Sequence, residues 1–186
     1  PKPQNPKTPL RLQLNLIEIM EASKIKVAEP GNKRTDLTIE DVNQAVTDLG
    51  QWFENKNKAY FEANMKNGGA SDADISAVAA PEHLAAVLKK FNGGMHFMDT
   101  FKGLSVAEIK DAQSLVGAGN LPFAKDIDGN IQVLQEGSQV GIWDQEDKAV
   151  SEQLNCSMGQ YLEQIRDGLL SNQLAFDEDC GIFRQK

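Results

Sequence analysis

The sequence has little from which to build a conventional catalytic or metal centre. Its only histidines are His83 and His96, 13 residues apart on different predicted elements, with no HExxH frame and no serine in a nucleophile elbow nearby. They read as surface or packing residues. Its two cysteines, Cys156 and Cys180, lie 24 residues apart and form no CxxC pair, so zinc-ligand spacing is missing. They read as free, partly buried thiols, and a disulfide between them would instead mark an oxidising compartment. Long apolar runs are lacking too: none approaches the ~18 to 20 residues that span a bilayer, and no apolar h-region stands at the N-terminus. Basic residues are in deficit, 19 Lys and Arg against 27 Asp and Glu, and the net charge of -8 would repel a polyanion.

These gaps set the expectations. The chain reads as soluble and intracellular, in the cytoplasm or an organelle, with no nucleic-acid partner, no direct membrane insertion and no small-molecule substrate. No catalytic, cofactor-binding or metal-ligating residues are assigned. The chain opens on Pro1, as a processed protein or a segment of a longer one would.

What is present suffices for one core. A chain of 186 residues, 40% of them hydrophobic, can bury a single apolar interior and carry a helical extension. Residues 1–9, PKPQNPKTP, are proline-rich without an apolar side chain and read as an extended arm. In residues 10–27, Leu10, Leu12, Leu14 and Leu16 alternate as in a strand, while Leu16, Ile17, Met20 and Ile25 suit a helix; a helix over 15–24 with a short extended lead is expected. A loop at 29–36 precedes Thr38 and Asp41, which are spaced as a capping box. Val42, Val46, Leu49, Phe53 and Tyr60 then recur at helical spacing through Lys66, and Trp52 and Phe61 widen that apolar face. Asn67, Gly68 and Gly69 end the pattern. Residues 10–69 are therefore expected to be a helical extension, and residues 70–186 an α+β domain.

Within that domain a short helix is expected over 72–78, and Pro81 opens another that Asn92 and Gly93 close. Residues 95–101, MHFMDTF, read as a strand. Ser105 with Glu108 caps a helix to Val116. From Leu121 the period becomes extended: LPFAKD, NIQVLQ and SQVGIWD, with tight turns at Asp128-Gly129 and Glu136-Gly137, predict a three-stranded antiparallel meander. Ser157 with Gln160 caps a last amphipathic helix carrying Tyr161, Leu162, Ile165 and Leu169, and LAFDEDCGIF follows as a polar-ended tail or short strand.

Three patterns invite chemistry, and each has a structural explanation. Asp126, Asp128 and Asn130 alternate like calcium ligands, but Gly129 falls at the fourth position of the loop and Gly137 at the twelfth, where an EF-hand needs other residues. Hairpin-turn chemistry accounts for the same residues. The Gly93-Gly94 pair lacks the GK[S/T] ending of a phosphate loop and reads as a helix stop. The acids at 144–147 and 177–179 flank turns, with no apolar pocket marked in the sequence to raise a catalytic pKa.

The helix ending in Asn92-Gly93-Gly94, the LPFAKDIDGN segment at 121–130 and the strand 140–144 with Trp143 stand in an order that resembles the SUKH superfamily. That family takes its name from a yeast regulator of cell-wall assembly and includes bacterial toxin-immunity proteins. The resemblance covers roughly residues 72–186. It implies an antiparallel or mixed sheet packed against helices and used as an adaptor surface, with no shared chemistry to transfer. The residues before Asp72 have no counterpart, and 95–101 lacks the tryptophan often seen after the NGG turn. The function expected is a non-enzymatic protein-interaction or adaptor module, a subunit of a larger assembly bound to another protein. The alternative is an immunity protein that neutralises a basic toxin nuclease, and a hydrolase with a cryptic site is a third reading.

Overall fold

The computed structural model describes residues 34–185, which form an α+β fold. The arm at 1–9 and the helix expected over 15–24 lie outside the described residues. Helix α1, Ile39–Lys56, starts with the Thr38–Asp41 capping box in place and buries Val42, Val46, Leu49 and Phe53. It does not run unbroken to Lys66. At Asn57 the backbone leaves helical geometry (φ -138°), one turn follows at Lys58–Tyr60, and Phe61–Met65 is wound as a π-helix in which the Lys66 N–H reaches back to Phe61 O. Phe53 and Tyr60, on either side of Asn57, are both buried and stand two helical turns apart in sequence, so the periodicity hid the break.

Helices α2, Asp72–Ala77, and α3, Glu82–Lys90, follow, the second opened by Pro81 as expected. The strand expected at 95–101 is corrected to a narrow loop-back. Met95 O accepts from Gly103 N–H and Phe97 N–H donates to Phe101 O, with the reversal at Asp99 (φ +57°), and only isolated bridges form along 95–99. The regular strand is β1, Lys102–Gly103. Helix α4, Val106–Val116, has its Ser105–Glu108 box formed.

The meander has five strands where three were expected. β2, Leu121–Lys125, β3, Ile131–Leu134, β4, Gln139–Asp144, and β5, Ala149–Ser157, pair antiparallel in the order β1-β2-β3-β4-β5. β5 was not anticipated because it is an edge strand, exposed or half-exposed along most of its length, with two register shifts against β4. Both expected two-residue turns are also longer. Ile127-Asp128-Gly129 form a three-residue loop closed by Asp126 N–H to Asn130 O, in which only Gly129 has positive φ (+96°), as in a type I turn with a bulge. A 3-10 turn at Glu136–Ser138 joins β3 to β4, and Ser138 takes the left-handed position (φ +60°).

Ser157 ends β5 and caps helix α5, Met158–Leu170. The last segment is a hairpin, β6, Leu174–Asp177, with β7, Gly181–Arg184, and Ile182 exchanges backbone hydrogen bonds with Asp99. A single apolar cluster joins α1, α3, α4, the sheet and α5, so residues from both sides of position 70 share one core. α1 packs directly on α5 and α3. Phe53, Phe97, Phe123, Leu162 and Ile165 are fully buried, each worth about 1.5–3 kcal/mol in removing apolar surface from water. No helix among the described residues is long and apolar enough to cross a membrane.

Candidate functional site

Three backbone segments meet at Asn92-Gly93-Gly94. Asn92 N–H donates to Gly68 O and its side-chain Oδ1 accepts from Val106 N–H, tying the turn to the start of α4. Gly94 N–H donates to Gly103 O on β1, and Gly94 O accepts from the Tyr60 hydroxyl at 2.6 Å. Both glycines have positive φ, +89° and +83°. A Cβ on Gly94 would stand 2.0 Å from Asn64 O, and one on Gly93 2.8 Å from Ser105 N. Glycine is thus required twice, by conformation and by contact, and the pair does more than stop a helix. It lets the π-helical turn, β1 and the start of α4 close on one another.

Above this floor lies an open polar groove of about 370 Å³. Ala63, Asn64 and Asn67 form one wall, the NGG turn the floor, and Lys102, Gly103, Leu104, Glu108, Lys125 and Asp126 the remainder. The strand register places Lys102 directly opposite Lys125. Lys102 Nζ donates to Asn64 Oδ1 at 2.7 Å. The two acids are turned to local structure. Glu108 Oε2 accepts from Ser105 N–H and Oγ–H, both at 2.7 Å, while Asp126 accepts from Asn130 N–H at 2.8 Å and Nδ2 at 2.9 Å. The groove therefore offers ammonium and amide donors and some exposed backbone, a surface suited to polar segments of another molecule.

The residues singled out in the sequence do not converge. His96 is buried against Tyr60 and Phe176, with ring centroids 5.3 and 5.1 Å away, and its Nδ1 has no hydrogen-bond partner. Burial, helped by the nearby charge of Lys102, pushes its pKa down to about 4, so it is neutral near pH 7. His83 is half-buried at the start of α3, close to the backbone of Gly159 on α5. Asp128 sits in the β2–β3 loop, whose Asn130 Oδ1 accepts from Gln145 N–H. Asp144 Oδ1 accepts from the N–H groups of Glu146 and Asp147, and Asp177 Oδ1 from those of Asp179 and Cys180, so both acidic patches are hairpin turns. Cys156 is buried and Cys180 exposed, both as thiols. Among the described residues no group of three or more His, Cys, Asp or Glu is placed to hold a metal ion.

A second set of charges lies between α1 and α5. Arg34 bridges Asp41 (3.0 Å) and Glu163 (3.2 Å), and its carbonyl accepts from Gln160 Nε2. Arg166, 2% exposed, pairs with Asp167 at 2.7 Å and Glu163 at 3.5 Å, while its Nη1 has no partner. Burial raises the pKa of Glu163 and of Asp48, the latter accepting from Gln44. Asp41 is held below the usual carboxylate range, chiefly by the Thr38 N–H. This set fastens two helices. Sequence reasoning missed the groove lysines because only the register of β1 on β2 brings them together, whereas the glycine pair was a visible signal read too narrowly. No protein-family model matches the chain, and comparison with curated proteins finds no match.

Proposed function

We propose that this protein is a non-enzymatic interaction module of SUKH type, an adaptor or subunit of a larger assembly that grips a partner protein through the groove at Asn92-Gly93-Gly94. The carrying observation is convergence: two of the three sequence landmarks, the NGG turn and the Lys125-Asp126 end of β2, line the same groove although about 30 residues separate them. Its floor is backbone locked by close approach, so the groove holds its shape before a partner arrives, which lowers the ordering cost of binding. Its lining is polar, as at the rim of non-obligate interfaces.

Purification of the full chain from its native source tests this. The wild type is expected to retain a protein partner in stoichiometric amount. Ala63→Trp, which fills the groove from an exposed position, should lose that partner with the melting temperature unchanged. A lone wild-type monomer at native expression, or equal retention by the Trp variant, would count decisively against the groove. A basic nuclease as the retained partner, released by salt, would replace the adaptor reading with the immunity one.

A further inference from the structure

We infer that Lys102 and Lys125 form a carboxylate-recognising pair, and that the partner inserts an Asp or Glu side chain between them; this rests on the interaction reading above and names the chemistry the groove selects. Two lysines directly opposite on neighbouring antiparallel strands are an unfavourable arrangement, since like charges at that position repel. Among the described residues no carboxylate pairs with either lysine; the Lys102 ammonium has the neutral Asn64 amide oxygen and, 6.0 Å away, the face of the Tyr60 ring. Acids are nearby in the same groove, yet Glu108 turns one oxygen, Oε2, to the α4 cap and Asp126 turns both of its oxygens to Asn130. In a chain of net charge -8, two ammonium groups without an ion-pair partner among the described residues, over a rigid floor, are the feature a partner can satisfy.

The same surroundings select among anions. A phosphate, with about two negative charges, would meet Glu108 and Asp126 within the groove and the acidic protein beyond it. A single carboxylate has one charge and two oxygens, one for each ammonium group, and leaves the formal charge of the groove slightly negative instead of strongly so. The site thus fits an acidic residue of a protein segment lying across β1.

The test uses a ¹⁵N-labelled full chain titrated with three acetylated, amidated peptides, Gly-Ala-Ser-X-Ala-Gly, where X is Glu, Gln or phosphoserine. The Glu peptide is expected to shift the amides of Gly93, Gly94, Lys102, Gly103 and Lys125, and the Gln peptide to bind about fivefold more weakly or not at all. Lys125→Gln should abolish the difference between the two while melting at the same or a higher temperature than wild type, because it relieves the repulsion. Lys125→Arg should keep the preference. Equal binding of Glu and Gln peptides, tighter binding of phosphoserine, or a lowered melting temperature for Lys125→Gln would each overturn the proposal. The two readings fail separately: a native partner retained by Lys125→Gln leaves the interaction module standing without this pair, and a chain with no native partner still answers the peptide titration.

Discussion

At His96 a polar ring is enclosed among aromatic ones, and one of its nitrogens is left without a hydrogen bond. The imidazole titrates near 4 when folded and near 6.5 when unfolded, so below pH 6.5 the unfolded chain takes up the proton first. Stability is therefore complete above pH 6.5 and falls as pH drops toward 4, by up to ~3 kcal/mol at 1.36 kcal/mol per pH unit. His96→Phe, which suits the Tyr60 and Phe176 rings, should be as stable as wild type at pH 7 and lose this acid-side decline, as read by urea denaturation across pH 4 to 7. The burial of His96 was not legible in the sequence. An isolated histidine between Met95 and Phe97 has the same local pattern whether its face meets solvent or an aromatic pocket, and β6 supplies that pocket from 80 residues away.

Among the elements, what was legible was local. Thr38–Asp41, Ser105–Glu108 and Ser157–Gln160 are all formed capping boxes, since each is completed within four residues of chain. The strands were legible where they are largely buried and bounded by glycine-containing turns, β3 being buried on both faces. β2, β3 and β4 could be recognised, whereas β5 on the open edge and the paired halves of 95–103 depend on partners far along the chain. The junction of the π-helical turn, the NGG turn and α4 offers a comparison of two glycines with similar φ. Gly94→Ala forces a methyl against Asn64 O and should cost about 3 kcal/mol or more, with loss of groove binding. Gly119→Ala, at φ +84° with nothing within 4 Å, meets backbone strain alone and should cost only about 1 kcal/mol. Thermal unfolding of the two variants side by side measures the difference, and equal costs would mean that the junction is not closely packed.

Across the whole molecule, the α+β class was legible in the change from helical to extended period at Leu121, but the closeness of α1 and α5 was not, because nothing local announces a contact between residues over 100 positions apart. The charges between those helices set a second pH response. Asp48 and Glu163 have folded pKa values raised by burial, so the folded chain binds their protons first and stability rises as pH falls from neutral through those values. Asp41, held low, acts in the opposite sense, its contribution being lost only as pH falls below the ordinary carboxylate range. In a His96→Phe background the rise should remain as pH falls from 7 toward the carboxylate range, and Asp48→Asn, which keeps an acceptor for Gln44, should reduce it to the part that Glu163 carries. Pairing an early helix with a late one also bears on how the protein is made. Ribosomes add about 5–20 residues per second, so the apolar stripe of α1 waits roughly 6 to 25 seconds after its own synthesis before the residues of α5 exist to cover it. During that interval the nascent chain carries Val42, Val46, Leu49 and Phe53 uncovered on that side, and chaperones that bind exposed helices have their best opportunity before the last helix leaves the tunnel.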